Sequence, residues 1–155
     1  MAMKQSIIQS LILWRRCLMA RAKAWAKGGA EAYQAEKLNQ EETNLRKQLT
    51  AEGLDPMKLE LWPSRSRKDT GLWWRMNRMW LAREGANWFI LASGPRPYRQ
   101  TLSPEQIAGA RYNHITGQLV FRIPDSPQTL SLKFNSREGY HLIDLLHANT
   151  TLAYA

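Results

Sequence analysis

The sequence predicts an α+β protein: an N-terminal antiparallel helical hairpin, then a small, mainly antiparallel sheet with two or three helices. Three observations predict it. Apolar residues recur at helical spacing through roughly the first third of the chain. Gly28-Gly29 interrupts that pattern at its middle. Past residue 86 the pattern changes to short apolar or alternating runs separated by Gly and Pro turns.

Ile7, Leu11, Trp14, Leu18 and Trp25 share one helical face. Ala35, Leu38, Leu45 and Leu49 continue the period, and Gly53 with Pro56 ends it. Charge supports folding at the glycines. Residues 1–27 carry six basic and no acidic side chains, whereas residues 28–60 carry four basic and seven acidic. A tight turn at Gly28-Gly29 sets position i near 57 − i. Arg21 then lies near Glu36, Arg16 near Glu41 and Arg15 near Glu42. Exposed pairs contribute about 0–1 kcal/mol each, enough together to favour this pairing. The rival is one continuous helix of about 70 Å, with two interior glycines costing about 2 kcal/mol. That helix would need a coiled-coil partner, making residues 5–50 a homo-oligomer surface.

Next, Met57–Leu61 alternates as a short strand, and Pro63–Gly71 reads as an exposed basic connection. A helix is expected over Leu72–Arg83, capped by Asp69 or Thr70, with Trp73, Met76 and Trp80 facing the core. Asn87–Ser93 reads as a buried strand and Gly94–Pro97 as a turn. Ser103-Pro104-Glu105-Gln106 is a helix start with a capping box. Residues 111–115 and 118–123 read as a β-hairpin, followed by a turn at Pro124–Pro127. Thr129–Phe134 is an alternating strand, and Ser136 is the expected cap of a last helix. The expected organisation is therefore a hairpin or coiled-coil module at 1–56, a basic connection at 57–71 and a compact α+β domain at 72–155.

The chemistry of catalysis is thinly represented. The glycines build no phosphate loop, and no Gly-x-Ser-x-Gly elbow occurs. Cys17 is the single cysteine, which excludes an internal disulfide and a cysteine zinc cluster. His141, Asp144 and His147 recur every three residues but drift by about 60° per step, so they converge poorly on a metal. Arg111, Tyr112, His114 and Lys133 could meet on adjacent strands as a ribonuclease-like set, although no local spacing specifies one. The expectation is no enzyme, no catalytic residue, no metal and no cofactor.

The binding signal is stronger. The chain of 155 residues has a formal charge of +9 and a pI near 10.1. Residues 61–99 carry eight basic and two acidic side chains together with five of the seven tryptophans. Guanidinium groups beside aromatic rings suit phosphates and unpaired bases. The candidate nucleic-acid-binding residues are Arg65, Arg67, Lys68, Trp74, Arg75, Arg78, Arg96 and Arg99. The expected function is that of a nucleic-acid-binding accessory protein, its partner DNA or RNA. The alternative is a protein-binding adaptor, inhibitor or subunit of a larger complex, with an acidic protein or nucleoprotein as partner and the hairpin as interface. The first apolar run is short, and Arg15-Arg16 follow it at once. A membrane partner is not expected, and the cytoplasm is the expected compartment.

Overall fold

A computed structural model describes residues 2–71, 76–122 and 129–154, with side chains between 7 and 148 inside those stretches. It is α+β. The chain divides into two compact units, Met1–Glu52 and Gly53–Ala155.

The first unit is helix α1, Ala2–Ala51, kinked at Gly29. Gly29 has φ 74° and ψ −150°, a backbone that L side chains disfavour, so glycine is what permits the break. Residues on either side of the kink touch. Arg21 Nε donates to Gln40 Oε1 at 2.9 Å, and Gln40 Nε2 donates to the Cys17 carbonyl at 3.3 Å. Trp25 and Tyr33 meet edge to face at 5.9 Å. In an unbroken helix, residues 21 and 40 would be about 28 Å apart. Gln40 Nε2 also reaches Glu36 Oε1 at 3.2 Å, so this amide links Arg21 to the carboxylate expected opposite it. Glu42 takes Arg46, one turn on, as an ion-pair partner at 2.9 Å.

The second unit holds two antiparallel sheets. Strands β1 (Glu60–Lys68), β2 (Asn77–Glu84), β3 (Asn87–Ala92) and β4 (Tyr98–Thr101) form the first in that order. Strands β5 (Arg111–Asn113), β6 (Gln118–Arg122) and β7 (Thr129–Lys133) form the second. Helix α2 (Pro104–Ala108) joins the sheets, and α3 (Ser136–Tyr154) follows β7. The sheets meet where the Lys133 amide donates to Ser66 Oγ at 2.9 Å. Leu81, Trp88 and Ile90 from the first sheet, Leu119, Phe121 and Leu132 from the second, and Leu142 and Leu146 from α3 share one buried core.

Several elements differ from expectation. Residues 77–83 form β2 and not the end of a helix. The reason is that Trp80, Leu81 and Ala82 are all buried, so both faces of this central strand are covered and alternation vanishes. Met76, Met79 and Trp80 then imitate helical spacing. The first part of the expected helix, 72–75, lies outside the described residues. Residues 60–68 form strand β1, where a connection was expected from Pro63 onward. Pro63 is accommodated because β1 is an edge strand of its sheet, and the register shifts between Pro63 and Arg67. Of the expected strand at 57–61, Pro56–Lys58 is a 3₁₀ turn. Among the described residues seven strands form two sheets, where one small sheet was expected. The turn at Pro124–Pro127 lies outside the described residues.

Two helix starts test local chemistry. At α2 the Gln106 amide donates to Ser103 Oγ at 3.2 Å, and the Ser103 amide donates to Gln106 Oε1 at 2.9 Å, so the full capping box forms. Ser103→Ala is expected to cost about 1 kcal/mol, read as a lowered urea midpoint with an unchanged slope. At α3 the cap is Asn135 and not Ser136. The Glu138 amide donates to Asn135 Oδ1 at 2.8 Å, and an amide oxygen serves as well as a hydroxyl one position earlier.

Candidate nucleic-acid interface

The register of the first sheet decides which cations assemble. Arg67 pairs with Arg78 and Lys68 with Asn77 at one end of β1 and β2. Directly paired residues share a sheet face, and faces alternate along each strand. Arg67 and Arg78 therefore occupy one face, while Lys68 occupies the other. There the Lys68 ammonium lies 4.4 Å from the Tyr98 ring centre. Burial raises the Tyr98 pKa above its ordinary value, so the phenol beneath the ammonium stays neutral.

The strand end is tied to the β3–β4 turn by Thr70, which is 1% exposed. Its hydroxyl donates to the Ser93 carbonyl at 2.7 Å and accepts from Asn77 Nδ2 at 2.7 Å. Its carbonyl accepts the Arg96 amide at 2.8 Å. These bonds join the end of β1, the start of β2 and the Gly94–Pro97 turn, which carries exposed Arg96.

The irregularity after Pro63 is ordered in the same way. Ser64 is fully buried, and its hydroxyl donates to the Met79 carbonyl at 2.7 Å. Arg78 Nη1 donates to the Ser64 carbonyl at 2.6 Å, and Arg67 Nη1 reaches the Met76 carbonyl at 3.5 Å. These bonds orient both guanidinium groups. Arg65, within the irregular segment, is exposed.

Arg65, Arg67, Lys68, Arg78 and Arg96 thus lie at one end of the sheet, with Lys68 on the face opposite Arg67 and Arg78. The nearby carboxylate of Asp69 accepts from the Gly71 amide at 3.0 Å. Arg99 stands apart. It pairs with Leu91 and carries its guanidinium over the Phe89 ring at 5.2 Å. Trp74 and Arg75 lie outside the described residues. Arg83, from the same basic stretch, pairs with Glu60 at 2.5 Å and sits over Trp62 and Trp88, which stack at 5.5 Å. It belongs to the packing of the sheet. Trp80 and Trp88 are buried, at 1% and 0% exposure.

The chain matches no protein-family model, no curated protein and no solved structure.

The other chemical candidates fall into two groups, Tyr112 with His114 around Tyr140 and Arg111 with His147 at the Ala110 carbonyl. Tyr112 donates its hydroxyl to the Phe134 carbonyl at 3.1 Å, while His114 stacks on Tyr140 at 6.4 Å. Arg111 Nη1 donates to the Ala110 carbonyl at 3.1 Å. His147 Nε2 lies 3.1 Å from that same carbonyl. Among the described residues no three His, Cys, Asp or Glu side chains are grouped to hold a metal. No described helix is long and apolar enough to cross a membrane.

Sequence reasoning missed Thr70, Asn77 and Tyr98, which position the cations. Thr70 was legible as a residue that satisfies backbone groups, but the segments it joins are 23 residues apart.

Proposed function

We propose that this chain is a nucleic-acid-binding accessory protein that carries out no catalysis of its own. Its second unit grips phosphates through Arg65, Arg67, Lys68, Arg78 and Arg96. The observation that carries this reading is the Arg67–Arg78 pairing beside the Thr70 tie, which concentrates five cations at one sheet end. Guanidinium groups held in fixed orientation lose less freedom on meeting phosphate. Backbone phosphates rather than base edges would be the ligands, which implies little sequence preference.

We read the first unit as an antiparallel helical hairpin folded at Gly29, supported by the Arg21–Gln40 and Gln40–Cys17 bonds. The free thiol of Cys17 fits a reducing compartment, and we assign the protein to the cytoplasm.

The test is fluorescence anisotropy with labelled single-stranded and duplex oligonucleotides at low salt. An Arg65→Ala/Arg67→Ala/Lys68→Ala variant serves as control. Binding at micromolar concentration or tighter, weakened at least about tenfold by the variant, is expected. Absent binding at low salt, or a variant that binds as well as the parent, would sink the reading.

A further inference from the structure

A cluster of exposed rings stands close to the basic strand β1. Tyr140 on α3 is 49% exposed, and His114 in the β5–β6 turn is exposed. Their rings lie within 26° of parallel, with centres 6.4 Å apart. Tyr112 of β5 meets Tyr140 edge to face at 5.2 Å.

The fold holds both exposed rings in place. The Tyr112 ring lies against the backbone of Gly139, where an added Cβ would come within 2.2 Å of it. Its hydroxyl donates to the Phe134 carbonyl at 3.1 Å. The absence of a side chain at 139 is thus what lets Tyr112 buttress Tyr140. The turn carrying His114 is ordered by Asn113. Its Oδ1 accepts the Ile115 amide at 2.9 Å, and its carbonyl accepts the Gly117 amide at 2.8 Å. The Gly117 carbonyl accepts the Phe134 amide at 2.9 Å, which fastens the turn to the end of β7. Rings set in place before a ligand arrives lower the ordering cost of binding.

The cluster is continuous with the basic strand. The Lys133 amide donates to Ser66 Oγ at 2.9 Å, and Ser66 stands between Arg65 and Arg67. Phe134, the next residue after Lys133, carries the carbonyl that holds Tyr112. Ser66 Oγ and the Tyr112 hydroxyl are therefore at most about 13 Å apart. At the stacked rise of about 3.4 Å per nucleotide, that is about four nucleotides, the length of a small single-strand site.

Charge and shape select the occupant. Exposed Lys133 stands in the link between the two places, and exposed Arg137 lies one turn before Tyr140 on α3. Glu138 is about 200° round the helix from Tyr140, and Asp144 lies a turn beyond it, away from β7. Cations beside flat rings suit a ligand that carries both phosphates and bases. A duplex keeps its base faces within its own stack, so only an unpaired base presents a face to Tyr140 or His114.

We propose that Tyr140 and His114 form a base-stacking platform for single-stranded nucleic acid, whose phosphates run from there onto the sheet-end cations. The proposal rests on the phosphate reading above and adds to it the strandedness of the ligand.

The test compares two labelled strands of equal length at low salt: a deoxythymidine oligomer and the same backbone with abasic sites throughout. The parent should bind the thymidine strand at least about fivefold more tightly. Tyr140→Ala should remove most of that margin, Tyr140→Trp should keep it, and neither should change binding to the abasic strand. Arg65→Ala/Arg67→Ala/Lys68→Ala should weaken binding to both strands. Equal binding of the two strands by the parent overturns the platform and leaves the phosphate reading standing. So does a thymidine preference that survives in His114→Ala/Tyr140→Ala with parental circular dichroism. A Tyr140→Ala variant that binds both strands as the parent does but loses self-association also overturns it, and assigns the rings to a protein contact. Absent binding of either strand overturns both readings.

Discussion

Gly94→Ala is expected to destabilise the second unit by about 2–5 kcal/mol. Two costs combine. Gly94 has φ 149°, where an L side chain is strained by about 1–2 kcal/mol. Its new Cβ would also lie 2.6 Å from Thr70 Cβ and closer still to the Thr70 hydroxyl. Relieving such a clash in a packed site costs about 1–3 kcal/mol. Thr70 cannot withdraw cheaply, because its hydroxyl bonds both Ser93 and Asn77. Urea denaturation followed by tryptophan fluorescence measures the loss. Since the same threonine aligns Arg96 with the end of β1, variant molecules that remain folded should also bind nucleic acid more weakly. Parental stability in Gly94→Ala would mean that the Thr70 tie is not closed in solution.

The second large effect is on affinity for duplex DNA. Five phosphate contacts give a slope of log K against log salt of about −4.5, so binding falls about 500-fold between 50 and 200 mM salt. Removing Arg65, Arg67 and Lys68 leaves two contacts and a fall of about tenfold over the same interval. The sign follows from counter-ions released into solution: the more salt present, the smaller the gain from releasing them. A titration series at four salt concentrations, with parent and variant side by side, gives both slopes. Equal slopes would assign the charge dependence to other cations.

What could be read from the sequence was local. The capping box at Ser103–Gln106 closes within four residues, and the structure forms it as written. Gly29 breaks α1 because its own backbone permits the kink. What could not be read depended on distant segments. β2 lost its alternation because both faces are covered, and its Met and Trp spacing then suited a helix as well as a strand. β1 was concealed by Pro63 and by a Ser–Arg alternation that resembles a linker. Only its edge position and its pairing with β2 make it a strand.

The candidate site was legible to the same degree. Charge density singled out the basic stretch, but residue order could not show that Arg67 faces Arg78 or that Arg83 is held by Glu60 and two tryptophans. Pairing register divides the cations into those that complete the sheet and those that gather at its end. Lys68 on Tyr98 belongs to the same lesson, since that ring comes from β4, which the sequence order does not associate with β1.

The central claim, that the sheet end receives phosphates, is tested most directly by titrating the isotopically labelled full-length protein with a short oligonucleotide and following backbone amide resonances. Perturbations greatest at residues 65–68, 77–79 and 94–97, reversed by added salt, are the expected result. Unshifted resonances at low salt, or shifts confined to residues 7–27, would contradict it.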